Sequence, residues 1–273
     1  MTEQLAFAVD ADGARLWFID VNYLDAPTER YAIPVKIAEG ETAQSITQNA
    51  SQAIVAHFGR KNGAILCDAI WDGSFRSQLF DAIVRRRTLD AQAGQFVGFT
   101  TSGFESQHVD VSANSHVLSA EQSNSSMLFD NKFFLKLYRK LEDGVNPDVE
   151  ITRFLTEKTD FPNVPAFVGA LEYRRPKADP TVICLLQRAI ANEGDVWTLT
   201  VDALGRYYDR VLERKGDFQS ETAPPGVLLD ELVGGVYPEK VKLLGQRTGE
   251  LHLALSSSKD DPAFAPEPFN AMK

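Results

Sequence analysis

The chain is sparing with cysteine, methionine, tryptophan and histidine: its 273 residues hold two, three, three and four of them. Two cysteines exclude a disulfide-built extracellular domain. Cys67 and Cys184 follow the apolar runs Ala64-Ile65-Leu66 and Val182-Ile183, where reduced, buried thiols are expected. His57, His108, His116 and His252 are scattered without metal-ligand spacing. There is no Gly-x-Ser-x-Gly, zinc motif or dinucleotide fingerprint. No apolar run approaches the ~20 residues that cross a bilayer. The start, Met1-Thr2-Glu3-Gln4-Leu5, lacks the basic and apolar regions of a signal peptide, so a cytoplasmic protein is expected. Positive charge is also short. Lys and Arg number 28 against 38 Asp and Glu, a net charge of -10, which disfavours nucleic acid and anionic membranes as partners. A nucleotide needs only a local cation and stays possible.

What is present suits a soluble globular protein with a sizeable core, 44% hydrophobic and 24% charged. Leu5–Val9 and Leu16–Val21 alternate as strands about Asp12-Gly13, a hairpin signal. Tyr31–Lys36 reads as a strand that Pro34 assigns to a sheet edge, and Ala64–Ile70 as another. Phe75, Leu79, Phe80, Ile83 and Val84 form the stripe of a helix, closed by Arg85-Arg86-Arg87, where cations complement the C-terminal dipole. A phosphate-binding patch is the sharper reading of those arginines. Four strand-like runs follow between Gly94 and Arg139. A helix begins after Asn146-Pro147, then come strands at Ala166–Glu172 and Thr181–Gln187. From Trp197 to Ser256 the pattern is helical, interrupted at Pro224-Pro225-Gly226. Trp17, Trp71 and Trp197 can each stack on a sugar, although packing is the plainer use.

The informative stretch is His116–Leu155. In Lys132–Arg139, Phe133, Leu135 and Leu137 point one way and Phe134, Lys136 and Tyr138 the other. A lysine in so apolar a strand is costly to bury unless an anion meets it. Asn146 and Pro147 start a helix carrying Glu150. A strand lysine, a helix glutamate and a small-residue turn upstream are parts of a kinase nucleotide site. A surface lysine beside an unrelated glutamate fits the same spacing, since the turn has no Gly-x-Gly-x-x-Gly.

Several blocks resemble the maltokinase family: Ala120-Glu121-Gln122-Ser123-Asn124-Ser125-Ser126, Leu135-Lys136-Leu137-Tyr138-Arg139, Asn146-Pro147-Asp148-Val149-Glu150-Ile151, Gly169-Ala170-Leu171-Glu172-Tyr173 and Gly245-Gln246-Arg247-Thr248-Gly249-Glu250-Leu251-His252. The resemblance covers most of the chain after Val117 and is looser before it. It implies an α+β, protein-kinase-like (aminoglycoside-phosphotransferase-like) fold. Residues 1–92 would be an α/β cap, 93–192 the nucleotide-binding lobe and 193–273 part of a helical C-lobe. Such enzymes transfer the γ-phosphate of ATP, with Mg²⁺, to the anomeric hydroxyl of maltose, and the module also occurs fused to trehalose synthase. The resemblance gives Lys136 the phosphates and Glu150 the ion pair to Lys136. Ser123, Asn124, Ser125 and Ser126 replace a glycine-rich loop, and the backbone of Gln187 to Ile190, Ala189 included, forms the adenine hinge.

The family's His-Gly-Asp-type loop and Asp-Phe-Glu-type metal site do not occur in this sequence. Asp217-Phe218-Gln219 and Leu244-Gly245-Gln246 are superficial echoes, the first read as a helix terminus. No catalytic residue or metal ligand is therefore assigned, and the chain is expected to be an inactive N-terminal fragment that exposes apolar helix faces and self-associates. The rival reading is a non-catalytic nucleotide-binding or scaffold module attached to a trehalose synthase.

Overall fold

The structure, a computed structural model, describes residues 3–6, 13–58, 63–91, 93–112, 114–120, 123–214 and 231–266. They fall into two compact units, Met1–Lys158 with Val164–Ile190, and Thr159–Asn163 with Ala191–Lys273. Residues on both sides of position 92 belong to the first unit.

The first unit is α+β and holds two antiparallel sheets. The chain runs through β1 (Glu3–Ala6), β2 (Arg15–Val21), β3 (Glu29–Ala38), α1 (Gly40–Asn49), β4 (Ile54–His57) and β5 (Ile65–Asp68). It continues with α2 (Gly73–Val84), β6 (Thr88–Asp90), β7 (Gln95–Thr100), β8 (Ser115–Ala120), β9 (Asn124–Phe129) and β10 (Phe133–Tyr138). The last elements are β11 (Lys140–Leu141), α3 (Pro147–Lys158), β12 (Phe167–Arg174) and β13 (Thr181–Arg188). The first sheet has the order β1-β2-β3-β5-β4, with β11 also on β3; the second is β6-β7-β12-β13-β10-β9-β8. Helix α1 and strands β4, β6 and β11 are additions to the sequence reading. Residues 7–12, which include most of the expected first hairpin turn, lie outside the described residues.

Pro34 predicts an edge strand, yet β3 lies between β2 and β5. The reason is local. Ala32 N–H donates to the Arg139 carbonyl at 2.7 Å, and N–H groups two residues apart on a strand face the same side. The missing N–H of Pro34 therefore faces the gap between β11, which pairs with Arg30 and Tyr31, and β5, whose pairing starts at Val35. The proline stands at an edge inside the sheet.

The core joins the two sheets. Phe18 of the first packs edge-on to Tyr173 of the second at 5.3 Å between ring centroids, and Phe96 lies 4.8 Å from Tyr173. All five stripe residues of α2 are buried, with Phe80 stacked on Phe129 at 4.5 Å. Gly98 permits this approach: a Cβ there would overlap the Ala82 carbonyl of α2. Arg85 and Arg86 bond locally, Arg85 Nη1 to the Ser106 carbonyl at 2.7 Å and Arg86 Nε to Thr100 Oγ1 at 2.7 Å. Arg87 pairs with Asp81. Those partners give the triplet a structural use. Cys67 and Cys184 are free and buried, and burial pushes both thiols above their ordinary range.

In the second unit, α4 (Val196–Glu213) starts at Asp195, whose carboxylate accepts the Thr198 N–H at 2.8 Å. Arg210 donates to the carbonyls of Leu232 and Val233 at 2.8 and 2.6 Å, and α5 (Tyr237–Leu255) follows. Leu244-Gly245-Gln246 lies inside α5; Asp217-Phe218-Gln219 and Pro224-Pro225-Gly226 lie outside the described residues. No described helix is long and apolar enough to cross a membrane.

Candidate functional site

Strand alternation on β10 works as the sequence predicts: Phe133, Leu135 and Leu137 are buried on the α2 side, and Lys136 faces the other way, toward α3. Asn146 caps α3, its Oδ1 accepting the N–H groups of Asp148 and Val149 at 3.0 and 3.3 Å. Val149, Phe154 and Leu155 are the buried residues of that helix, Val149 as part of the unit's main core, and Thr156 Oγ1 accepts the Phe167 N–H at 2.8 Å.

The partner of Lys136 is not Glu150. Lys136 Nζ donates to Asp148 Oδ2 at 2.6 Å, and the same oxygen accepts the Tyr138 hydroxyl at 3.1 Å. Residues two apart on a helix stand about 200° apart around its axis. A helix that turns Asp148 and, one turn on, Thr152 to the strand must turn Glu150 elsewhere. The bond from Lys136 holds the Asp148 carboxyl below the usual carboxylate range, against the opposing effect of burial. Burial first and Asp148 second raise the Tyr138 phenol.

Beside this pair is a cavity of about 260 Å³ lined by Ser126, Phe134, Lys136, Asp148, Thr152, Leu185 and Gln187. Larger hollows of about 460 and 720 Å³ on the same unit include none of Lys136, Ser126 or Gln187. The small cavity is distinguished by the low-exposure polar residues on its wall. The buried polar residues among those described are Ser125, Ser126, Thr181 and Gln187. Ser125 accepts from Arg139 Nε at 2.9 Å, and Thr181 donates to Asp143. Ser126 (7% exposed) and Gln187 (9% exposed) have side chains with no hydrogen-bond partner among the described residues, and both line the cavity with Lys136. The fully buried unpaired side-chain atoms among the described residues lie elsewhere, on Trp17, Gln78 and Arg175, so the Ser126 hydroxyl and Gln187 amide reach the cavity's solvent and stand as accessible polar groups beside a lysine.

The other expected site residues divide. Ser126 is opposite Lys136 in the β9–β10 pairing, and Gln187 opposite Phe134 in the β10–β13 pairing. Register thus brings three residues distant in sequence to one face. Asn124 and Ser125 are strand residues of β9 rather than a loop. Ser125 serves Arg139, and Asn124 Nδ2 bonds Ser123 Oγ at 3.1 Å. Glu121 and Gln122, the remainder of that turn, lie outside the described residues. Ala189 donates its N–H to the Lys132 carbonyl at 2.9 Å, so it can offer a nucleotide edge only its own carbonyl. Sequence reasoning missed Asp148 and Thr152. The signal was there: Asn146-Pro147 fixes the helix start, and four-residue spacing then puts Asp148 and Thr152 on one face.

Arg139 braces the site from behind. Its Nη2 bonds Asp68 Oδ2 at 2.6 Å, and burial raises the Asp68 carboxyl against the pull of that guanidinium. Among the described residues no group of three His, Cys, Asp or Glu side chains can hold a metal ion.

No protein-family model matches the chain. Among solved structures it is similar to a glucosamine kinase in complex with glucosamine, ADP and inorganic phosphate, at 16% identity and a TM-score of 0.48, covering 93% of this chain and 46% of that one. A second crystal form of glucosamine kinase, form A, gives 15% identity and a TM-score of 0.48 over 94% of this chain and 45% of that one. Form B gives 16% identity and 0.42 over 94% and 47%. The chain thus spans less than half the length of the glucosamine kinases it matches, and likeness at this level assigns neither activity nor substrate.

Proposed function

We propose that this chain carries the nucleotide-binding lobe of an ATP-dependent sugar phosphotransferase resembling the maltokinases. One observation carries the reading: the open Ser126 hydroxyl and Gln187 amide share the Lys136 cavity. A phosphate offers anionic oxygens that accept from an ammonium, a hydroxyl and an amide together. At about 260 Å³ the cavity suits a phosphate group rather than a whole nucleotide, and the base and ribose would extend along the surface. Lys136 is the electrostatic anchor, and Gln187 and Ser126 supply directional donors. Phosphoryl transfer itself needs Mg²⁺ ligands and a group that positions the acceptor hydroxyl; the described residues supply no metal cluster, so that step is not assigned to them. In the complete protein the reaction would be ATP plus maltose to maltose 1-phosphate and ADP, and the module would act beside or fused to a trehalose synthase.

Calorimetry with ATP and Mg²⁺ on this chain and on Lys136→Ala, beside a coupled maltose phosphorylation assay, tests the reading. Saturable binding that Lys136→Ala abolishes, without turnover, is the expected result. Equal binding by both proteins would remove Lys136 from the site and the reading with it.

A further inference from the structure

The lysine that anchors the cavity is already occupied. Lys136 Nζ rests on Asp148 Oδ2 at 2.6 Å, and that oxygen is held in place by the Tyr138 hydroxyl at 3.1 Å. The Asp148 backbone is pinned as well, because its N–H is capped by Asn146 at 3.0 Å. Meanwhile the neutral donors of the same cavity, Ser126 and Gln187, stand open. The cavity's cation is thus paired within the chain, while its neutral polar groups face the open space. An incoming anion meets a like charge at the one place where it needs a positive one. Asp148 is 49% exposed, and ion pairs so accessible to water are weak enough to exchange partners.

We propose that Asp148 is a built-in competitor for the ligand's phosphate, displaced from Lys136 when a nucleoside diphosphate or triphosphate binds. The proposal rests on the nucleotide reading above. It makes Asp148 a specificity-setting residue. An anion of low charge gains too little from Lys136 to evict a carboxylate tethered beside it, whereas a polyphosphate carries enough charge to do so. Phe134 and Leu185 add apolar walls to the cavity.

The test is the dissociation constant for ADP, measured by calorimetry on the full chain. Asp148→Asn keeps the shape and an acceptor for Tyr138 but removes the charge, and should tighten ADP about ten-fold. Tyr138→Phe frees the carboxylate from its second anchor and should tighten ADP by about two-fold. Glu157→Gln removes a negative charge farther along the same helix, where Glu157 pairs with Arg153 at 3.0 Å; it controls for the general loss of charge and should leave the constant unchanged. ADP binding seen only in Asp148→Asn would be the strongest support. Wild-type binding that Asp148→Asn weakens or leaves alone, or that Glu157→Gln tightens equally, overturns the inference while the nucleotide reading stands. Should Asp148→Asn fail to fold, Tyr138→Phe decides alone. No ADP binding by wild type or either site variant sinks the nucleotide reading and takes this inference with it.

Discussion

Strand β13 buries seven of its eight residues, and α5 buries none of its nineteen. Both are rich in leucine, so composition does not explain the contrast. β13 is flanked on both edges by β10 and β12, and α2 and α3 pack on the neighbouring β12. The helices after residue 190 leave Trp197 79% and Leu253 72% exposed. The same residue types are structural where layers enclose them and adhesive where they do not.

The largest effects should come from the enclosed side. Leu186→Ala should cost roughly 2–5 kcal/mol in urea unfolding, against less than about 0.5 kcal/mol for Leu253→Ala; similar losses at the two positions would erase the contrast. Next is Arg139→Met, which leaves Asp68 partly buried without its cation and should cost ~2 kcal/mol after allowance for solvent. The open helices should make the chain associate as its concentration rises. Sedimentation should show this, with the double variant Trp197→Ser, Leu253→Ser shifting the balance toward monomer; a monomer at all concentrations would mean that other residues cover these faces. The smallest effect concerns acid. Glu29 accepts from Lys140, Tyr31 and Tyr23, chiefly Lys140, and its pKa falls from 4.5 to about 2. The unfolded chain takes up this proton first as pH drops, so the contribution is complete above pH 4.5 and disappears toward about pH 2. Glu29→Gln should flatten that part of the acid limb and change nothing at neutral pH beyond the lost bonds.

Most strands of the second sheet were legible, β10 from its period-two pattern and β12 and β13 as apolar runs bounded by polar turns, whereas the three-residue β6 was not. The α2 stripe was equally plain. Helix α1 was not, since Gly40–Asn49 buries only Ala43 and offers almost no apolar face to detect. Pro34 misled because a general rule about edges met a gap that only the chain's later return through β11 creates. Of the residues read from the sequence, Lys136, Ser126 and Gln187 line one cavity, while the carboxylate paired with Lys136 is Asp148 rather than Glu150. What escaped was angular position: a two-residue error along a helix is more than half a turn.

Residues 133–141 form β10 in one sheet and β11 in the other, and Arg139 between them ties Asp68 to Ser125. The N-terminal sheet thus borrows its final edge from a strand encoded some fifty residues beyond position 92. A gene segment ending there could not be exchanged between proteins as a cassette, because the graft would arrive without Leu141 and without the carbonyl that Ala32 needs. Any recombination that preserved the sheet would have to carry the Lys136 strand along, so the architecture binds the inheritance of the N-terminal region to that of the site.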